Sequence, residues 1–172
     1  MKFAGVILIG AALAAVFLNR KNIGSLIMKL SDNGLSLLER REGVRLKPYL
    51  DAAGKPTIGY GHLILPGENF SAGISEAQAR ELLRVDTEKA QKAVRDAVSH
   101  PLNQNQFDAL VSLAFNIGAN AFRGSTLVKL LNQGYVAAAA EQILAWKYAG
   151  GKPVLLARRQ AEKAQFETPA AP

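Results

Sequence analysis

The chain has 172 residues, of which 49% are apolar, a size and composition that fit one packed domain with a short appendage. A formal net charge of +7 favours an anionic partner. The sequence nevertheless has no Gly-rich phosphate loop, zinc-finger spacing or basic helix with base-stacking aromatics, which disfavours nucleic acid. The absence of cysteine excludes disulfides and thiolate metal sites.

The N-terminus is an uncharged apolar run, residues 3–18, flanked by Lys2 and by Arg20-Lys21. As a helix its 16 residues would extend about 24 Å, which is short of a hydrocarbon core of about 30 Å. Seven of the 16 are Ala or Gly, and each of these contributes little transfer free energy. A cleaved signal peptide, a permanent anchor and a marginal anchor that inserts but can leave all stay open, and the composition suits the last of them.

A short helix followed by a small sheet is predicted next. Asp32 or Asn33 can cap this helix, and Gly43 can close it in the left-handed conformation, which leaves Glu42 at its C-terminal end. Residues 48–65 place Pro and Gly among Tyr, Thr and Ile, a pattern that is typical of β-hairpins. Together these elements predict a small lobe that contains the sheet.

The rest of the chain is predicted to be helical. Ser75 and Gln78 form a capping-box signature that starts a long helix, which runs to about Ser99 and stops before Pro101. The expected fold is therefore α+β, with a small sheet-containing N-terminal lobe joined by one long helix to an all-helical C-terminal lobe. The shorter helices are predicted from Asn103 to Gly118, from Ser125 to Gly134, over residues 135–148, and from Pro153 to about Phe166.

Two acids and a hydroxyl stand close together in the sequence of the first lobe. Hydrolysis of a glycosidic bond needs a protonated acid for the leaving oxygen and a carboxylate near the opposite face of the sugar. Glu42 can be that acid if burial keeps it neutral, Asp51 can stay ionised, and Thr57 can help to hold a water. The spacing alone is a weak signal, because a Glu at a helix end is usually solvated and an Asp beside a turn usually forms the turn.

The segment 42–62 adds context, because it closely resembles the signature of the phage-type lysozyme (endolysin) family of muramidases. Its spacing from Glu42 through Asp51 to Thr57 matches the catalytic arrangement of that family without a gap. The resemblance covers about residues 34–166. The later segments that agree, in order, are Phe115-Asn116-x-Gly118, Ser125-Thr126-Leu127, the Trp146 segment ending in Gly150-Gly151, and Leu155-x-x-Arg158-Arg159-x-x-Glu162.

The resemblance implies a lysozyme-like fold and a role for each matching residue. Glu42 matches the proton donor, Asp51 the second catalytic carboxylate and Thr57 the hydroxyl beside it. The implied substrate is the glycan strand of peptidoglycan, cut between N-acetylmuramic acid and N-acetylglucosamine, with no metal and no organic cofactor. The positions that match substrate-binding residues are His62, Leu63, Phe115 and Thr126.

The N-terminus resembles the signal-anchor-release subgroup of the family. On this resemblance, residues 1–20 are a hydrophobic helix that holds the protein in the host inner membrane through residues 3–18, facing the periplasm. Residues 21–31 are a linker, and residues 32–172 are the catalytic domain, which is later released to the periplasm. A thiol switch is ruled out, since the chain has no cysteine. A monomeric enzyme and a functional dependence on a holin are further expectations.

Three other functions stay open. A lytic transglycosylase of similar fold would form an anhydro sugar, and a silent peptidoglycan-binding module would be expected to lack one of the three catalytic residues. A nucleic-acid binder would show steep salt dependence. The stereochemistry is open as well, because it depends on the separation of the two carboxyls, although Thr57 favours a positioned water. His62 is also typical of a hydrogen-bonded structural histidine, and Arg158 and Arg159 are typical of structural residues.

Overall fold

The computed structural model describes residues 28–170, which form helices and one three-stranded sheet. The predicted anchor, residues 1–20, and most of the predicted linker lie outside this range. Within it, none of the helices has both the length and the apolar character needed to cross a bilayer. The helices are α1 (Asp32–Glu42), α2 (Glu76–Asp86), α3 (Glu88–Ala97), α4 (Gln104–Ile117), α5 (Ala119–Arg123), α6 (Thr126–Asn132), α7 (Val136–Gln142) and α8 (Leu156–Glu167), with a 3-10 helix at Ile143–Trp146; the strands are β1 (Arg45–Leu50), β2 (Pro56–Gly59) and β3 (His62–Leu63).

The cap of α1 differs from the prediction. Ser31 caps the helix, because its hydroxyl accepts the N–H of Gly34 at 2.9 Å, whereas Asp32 and Asn33 already belong to the first turn. The same hydroxyl donates to the buried carboxylate of Asp108 in α4. Ser31 is therefore fixed from both sides, and this long-range bond is not visible in the local sequence.

The C-terminal end of α1 places Glu42 as predicted, as the last residue of the helix. Gly43 follows with φ +69° and ψ 155°, so its φ is positive as expected, but its backbone lies outside the left-handed helical region. Its N–H donates to the carbonyl of Glu39, which closes the last turn. The chain then leaves directly into β1.

The sheet is antiparallel in the order β1-β2-β3, with β2 in the centre. Thr57 of β2 pairs with Tyr49 on one side and with Leu63 on the other. The sheet begins at Arg45, slightly earlier than predicted, and its register shifts between Arg45 and Tyr49. Pro48, which has no N–H to donate, lies within that irregular stretch.

The single long helix of the prediction is two consecutive helices, α2 and α3, which meet at Thr87. Thr87 keeps helical dihedrals, but its hydroxyl donates to the carbonyl of Arg84 at 2.7 Å and accepts from the amide of Gln91 at 3.0 Å. A side-chain hydroxyl that bonds back to the preceding turn competes with the regular helical ladder and interrupts it. The predicted link between the lobes is nevertheless present, because α2 packs on β2 and α3 packs on α4 and α5.

The helical lobe is built around α4. Every residue of this helix from Phe107 to Ala114 is buried, and the helix lies within the range predicted from Asn103 to Gly118. The last helix, α8, lies along α4. It begins at Leu156 rather than at Pro153, because a two-residue bridge between Ala149 and Lys152 occupies the chain just before it.

Candidate active site

Glu42 is held by a residue that is distant in the sequence. Its Oε1 accepts a hydrogen bond from Nη2 of Arg158 at 2.8 Å, and Arg158 lies in the first turn of α8. The Arg158 side chain is 12% exposed and that of Glu42 is 22% exposed, so the pair is largely shielded but still reachable from solvent. Among residues 28–170, Oε2 of Glu42 makes no hydrogen bond, which leaves one carboxyl oxygen free. The end of α1 is thus fixed against α8.

A buried polar cluster lies behind this pair. The carboxylate of Glu162, one turn further along α8, contacts Arg158, Arg159 and the hydroxyl of Ser112 in α4. Ser112 in turn accepts from Arg41 of α1 at 3.0 Å. The cluster therefore joins three helices through charged side chains. Burial lowers the pKa of Arg159 and of Arg41, although the charge of Glu162 opposes that lowering for both.

Asp51 and Thr57 are joined through the backbone of one residue, Lys55. Oδ1 of Asp51 accepts the N–H groups of Ala53 and Lys55, both at 2.8 Å, and the carbonyl of Lys55 accepts the hydroxyl of Thr57 at 2.9 Å. Thr57 is 2% exposed, whereas Asp51 is half-buried. The structure therefore brings these two predicted residues together at the β1–β2 turn. No hydrogen bond within the described range joins either of them to Glu42.

His62 is enclosed by two carboxylates. Its Nδ1 lies 3.0 Å from both oxygens of Asp86 at the end of α2, and its Nε2 lies 3.1 Å from Oε2 of Glu68 in the loop after β3. Burial of the ring acts against its charged form, but the hydrogen bonds to Asp86 and Glu68 outweigh it, so the pKa of His62 is raised. Both ring nitrogens are engaged within the chain, which ties β3, its following loop and α2 together.

The pKa of Asp86 is raised, whereas an ideal ion pair would lower the pKa of its carboxyl. Burial raises the pKa of Asp86 and exceeds the lowering by His62, whereas the backbone N–H of Leu65 and the His62 ring lower the pKa of Glu68. The two 3.0 Å contacts to Nδ1 nevertheless favour an ionised Asp86 beside a charged ring. We therefore regard the cluster as an ion pair that burial weakens.

The remaining predicted substrate contacts lie at different places. Leu63 is 43% exposed on β3, directly beside Thr57 in the sheet. Phe115 is half-buried and lines a pocket of about 250 Å³ together with Asp86 and Lys89, at the junction of α2, α3 and α4. Thr126 is exposed at the start of α6. Leu63 thus lies within the sheet, and Phe115 shares a pocket with Asp86, which binds His62 of β3. Thr126 shares no such contact in the described range.

Sequence reasoning missed the side chains that hold these residues. It did not assign Arg158 to Glu42, Asp86 to His62, or Glu162 to the cluster. One signal was present, because Arg158 and Arg159 stand four and three residues before Glu162, the spacings at which helical side chains meet. The contact of Glu42 with Arg158 joins residues 116 apart, and that of His62 with Asp86 joins residues 24 apart. No local sequence pattern predicts either contact.

Known phage proteins resemble this chain over most of its length. A family model described as phage lysozyme matches residues 39–162. The chain is 46% identical to the endolysin of Salmonella phage P22 over 144 residues, which are 81% of this chain and 99% of that protein. It is 37% identical to the SAR-endolysin of Bacteriophage PS119 over 127 residues, which are 71% of this chain and 74% of that protein.

A crystal structure of a P22 lysozyme mutant superposes with a TM-score of 0.78 at 45% identity, covering 83% of this chain and all of the other. The lysozyme-like α+β fold predicted from the sequence is confirmed by this similarity. The family match spans more than half of the chain and includes Glu42, the sheet and most of the helical lobe. The chain therefore belongs to the phage lysozyme family.

Proposed function

We propose that the protein is an endolysin that hydrolyses the glycosidic bond between N-acetylmuramic acid and N-acetylglucosamine in peptidoglycan and so lyses the host cell. Membership of the phage lysozyme family supports the substrate class. The observation that carries the proposal is the placement of a solvent-reachable Glu42 at a helix end, immediately before a sheet that holds Asp51 and Thr57. This provides the two carboxyl groups that glycoside hydrolysis requires, with a hydroxyl near one of them.

In this proposal Glu42 is the general acid. Its free Oε2 delivers a proton to the leaving glycosidic oxygen, while the Arg158 contact on Oε1 fixes the direction of the side chain. Bound substrate would cover Glu42 and exclude water around it. Arg158 itself is a positioning residue, because it acts through Glu42.

Asp51 and Thr57 act on the other side of the sugar. Oδ1 of Asp51 is occupied by two backbone N–H groups, so the remaining oxygen is the one available to orient a water or to attack the anomeric carbon. The hydroxyl of Thr57 donates a hydrogen bond to the carbonyl of Lys55, and its lone pairs can accept a hydrogen bond from that water. When a water is the nucleophile, its hydroxyl bonds to the anomeric carbon and its proton passes to Asp51. The bond from that carbon to the glycosidic oxygen breaks as Glu42 protonates the oxygen.

Leu63, Phe115 and Thr126 are proposed to contact the glycan strand, since each is at least partly exposed. His62 is proposed to act on the substrate indirectly, because its ring holds β3 and the following loop in place. The overall positive charge assists the encounter with an anionic cell wall. The enzyme is proposed to work as a monomer without a metal or an organic cofactor.

The same family resemblance supports a proposal for where the protein acts. Residues 1–20 would hold it in the inner membrane facing the periplasm, from which the catalytic domain is released to reach the wall. The similarity to a SAR-endolysin supports this location. Dependence on a holin for timing is part of the proposal. Intact-mass analysis after membrane depolarisation would distinguish release of the whole chain from cleavage of the anchor.

The central test uses the full-length chain, purified in mild detergent, on isolated peptidoglycan. Glu42→Gln keeps the size of the side chain but removes the proton, and we expect activity to fall roughly 100- to 10,000-fold. Glu76→Gln, which changes an exposed carboxylate in the first turn of α2, is the matched control and should keep normal activity. Substantial wall clearance by Glu42→Gln would overturn the assignment.

Mass spectrometry of the released fragments distinguishes this function from the transglycosylase alternative. Hydrolysis adds one water to each cut and leaves a reducing end, whereas a transglycosylase leaves an anhydro sugar that is lighter by one water. We expect reducing ends, because Asp51 and Thr57 are both present and both anchored to Lys55. Anhydro products from the wild-type chain would contradict the hydrolytic mechanism.

A further inference from the structure

We propose that Glu162 is a positioning residue, whose buried carboxylate holds Arg158 in the orientation that fixes Glu42. The inference rests on the proposed catalytic role of Glu42 and extends it by one residue. Glu162 is 0% exposed, so it cannot touch the glycan strand itself. Its effect on the reaction must therefore pass through a neighbour, and Arg158 is the neighbour that reaches Glu42.

Glu162, Arg158 and Glu42 are connected by two successive hydrogen bonds. Nε of Arg158 donates to Oε1 of Glu162 at 3.2 Å, and Nη2 of the same guanidinium donates to Glu42 at 2.8 Å. The guanidinium is rigid and planar, so a contact at Nε sets the direction in which Nη2 points. A change at Glu162 is thereby transmitted to the carboxyl of Glu42.

Glu162 is itself fixed from two further sides. Oε1 accepts the hydroxyl of Ser112 at 2.7 Å, and Oε2 lies 2.7 Å from Nη1 of Arg159 as an ion contact rather than as a well-directed hydrogen bond. Arg159 also donates to Asn116 at the end of α4. Both oxygens of the carboxylate are therefore in contact with neighbouring side chains, which makes it a fixed reference for Arg158.

Charge balance explains why removal of this carboxylate should disturb Arg158 most. The cluster contains three guanidinium groups, those of Arg41, Arg158 and Arg159, around the buried acid Glu162. Without Glu162, these positive groups would lose the buried negative charge between them. Arg159 is fully buried, whereas Arg158 is 12% exposed and can turn towards water. The repulsion is therefore relieved by movement of the residue that holds Glu42.

Stability alone is a weak explanation for this arrangement. A buried ion cluster pays a large desolvation cost, and apolar side chains of similar volume often serve as well or better. Nε and Nη1 of Arg159 and Oε2 of Glu162 are buried without a hydrogen-bond partner in the described range, so the cluster is not fully satisfied. A role in orienting Arg158 accounts for keeping charges at such a site.

The test measures kcat and KM on soluble, uncrosslinked peptidoglycan glycan chains with the full-length protein. Glu162→Gln should lower kcat roughly 10- to 100-fold and leave KM nearly unchanged, because a small displacement of an acid affects the transition state more than binding. Asp108→Asn is the matched control. Asp108 is another buried carboxylate of the helical lobe, bound by Ser31 and Gln104 away from Arg158, and its change should leave kcat unaltered.

A double-mutant cycle decides whether Glu162 acts through Arg158. Arg158→Gln should lower kcat by a similar factor, and adding Glu162→Gln to it should cause no further fall. Multiplicative effects of the two changes would overturn the proposal, and so would a folded Glu162→Gln variant with normal kcat. If Glu162→Gln does not fold, Ser112→Ala decides in its place, since it removes one donor to Oε1 and leaves all charges.

For Ser112→Ala we expect a several-fold fall in kcat at constant KM, and an unchanged kcat would overturn the proposal. Glu42→Gln, measured in parallel, separates this inference from the proposed function. If Glu42→Gln is inactive while Glu162→Gln is normal, only the role of Glu162 fails. If Glu42→Gln is active, the proposed function fails, and the inference fails with it.

Discussion

The two carboxyl groups of the candidate site are held in contrasting ways. Glu42 depends on Arg158, which is 116 residues away and arrives with the last helix of the chain. Asp51 depends on backbone N–H groups that are only two and four residues further on. The contact of Glu42 with Arg158 forms only after the helical lobe has packed against α1. The contacts of Asp51 need only a five-residue turn. The Glu42 side of the site therefore depends on tertiary packing, and the Asp51 side depends on local structure.

This difference predicts how each carboxyl responds to damage. Loss of packing between α8 and α4 should release Glu42 while leaving the Asp51 turn intact. A change within the turn should disturb Asp51 and Thr57 together, because both bond to Lys55. Asp51 has two separable functions, because it forms the turn and is also the proposed catalytic carboxylate.

The largest effect in the turn is expected from removing the charge of Asp51 while keeping its shape. Asp51→Asn retains an oxygen that can accept from Ala53 and Lys55, so the free energy of unfolding should change by less than about 0.5 kcal/mol. Activity on peptidoglycan should nevertheless fall about 100-fold, because the ionised oxygen is lost. Asp51→Ala should lose the same activity and, in addition, about 1 kcal/mol of stability.

Chemical denaturation and wall-clearing rates measured on both variants would test this separation. If Asp51→Asn cleared walls at the normal rate, Asp51 would be a turn former only, and the local side of the site would have no catalytic charge. If Asp51→Asn lost as much stability as Asp51→Ala, the turn itself would depend on the negative charge.

The same difference explains which features were predictable from the sequence. Glu42 at a helix end, the small sheet and the capping box at Ser75 follow from spacing within a few residues, and the structure has all three, although the sheet begins slightly earlier than predicted, at Arg45. The interruption at Thr87 and the Ser31 cap were not predicted, because each depends on a particular side-chain hydrogen bond. The residues that orient Glu42 and His62 come from distant helices, and their positions are set by tertiary packing.

His62 provides a long-range contact on the sheet side, and it should respond to pH. Its pKa is raised in the folded protein, so the folded state binds the proton more tightly than the unfolded chain does. This contribution to stability is complete below the unfolded value of about 6.5 and is lost as the pH rises through the raised folded-state pKa. On the acid side, the raised pKa of Asp86 weakens the pair as that carboxyl takes up a proton.

Replacement of His62 by Asn should therefore cost most near pH 6, by about 2 kcal/mol, and less at pH 8. Denaturant unfolding of both proteins at several pH values would measure the difference. Glu68→Gln should cause a smaller loss of the same sign, since the ring keeps its contacts with Asp86. A cost that was constant between pH 6 and pH 8 would show that the ring stabilises the sheet by packing rather than by its charge.

The smallest effect tests how far backbone geometry alone supports the Asp51 turn. Gly54 has φ +76°, its N–H donates to the carbonyl of Asp51, and no atom lies within 4 Å of the position a Cβ would take. Gly54→Ala should therefore cost about 1 kcal/mol from backbone strain without a clash.

Gly124→Ala is the matched control, because Gly124 has φ −82° and its added Cβ would meet only an ordinary contact at 3.7 Å. It should be neutral or slightly stabilising, since it restricts the unfolded chain. Thermal or denaturant unfolding of the two variants gives the comparison. Equal stability of the two would mean that the turn tolerates a side chain at position 54 by rearranging. In that case the two hydrogen bonds to Asp51, rather than the glycine, would define the local side of the site.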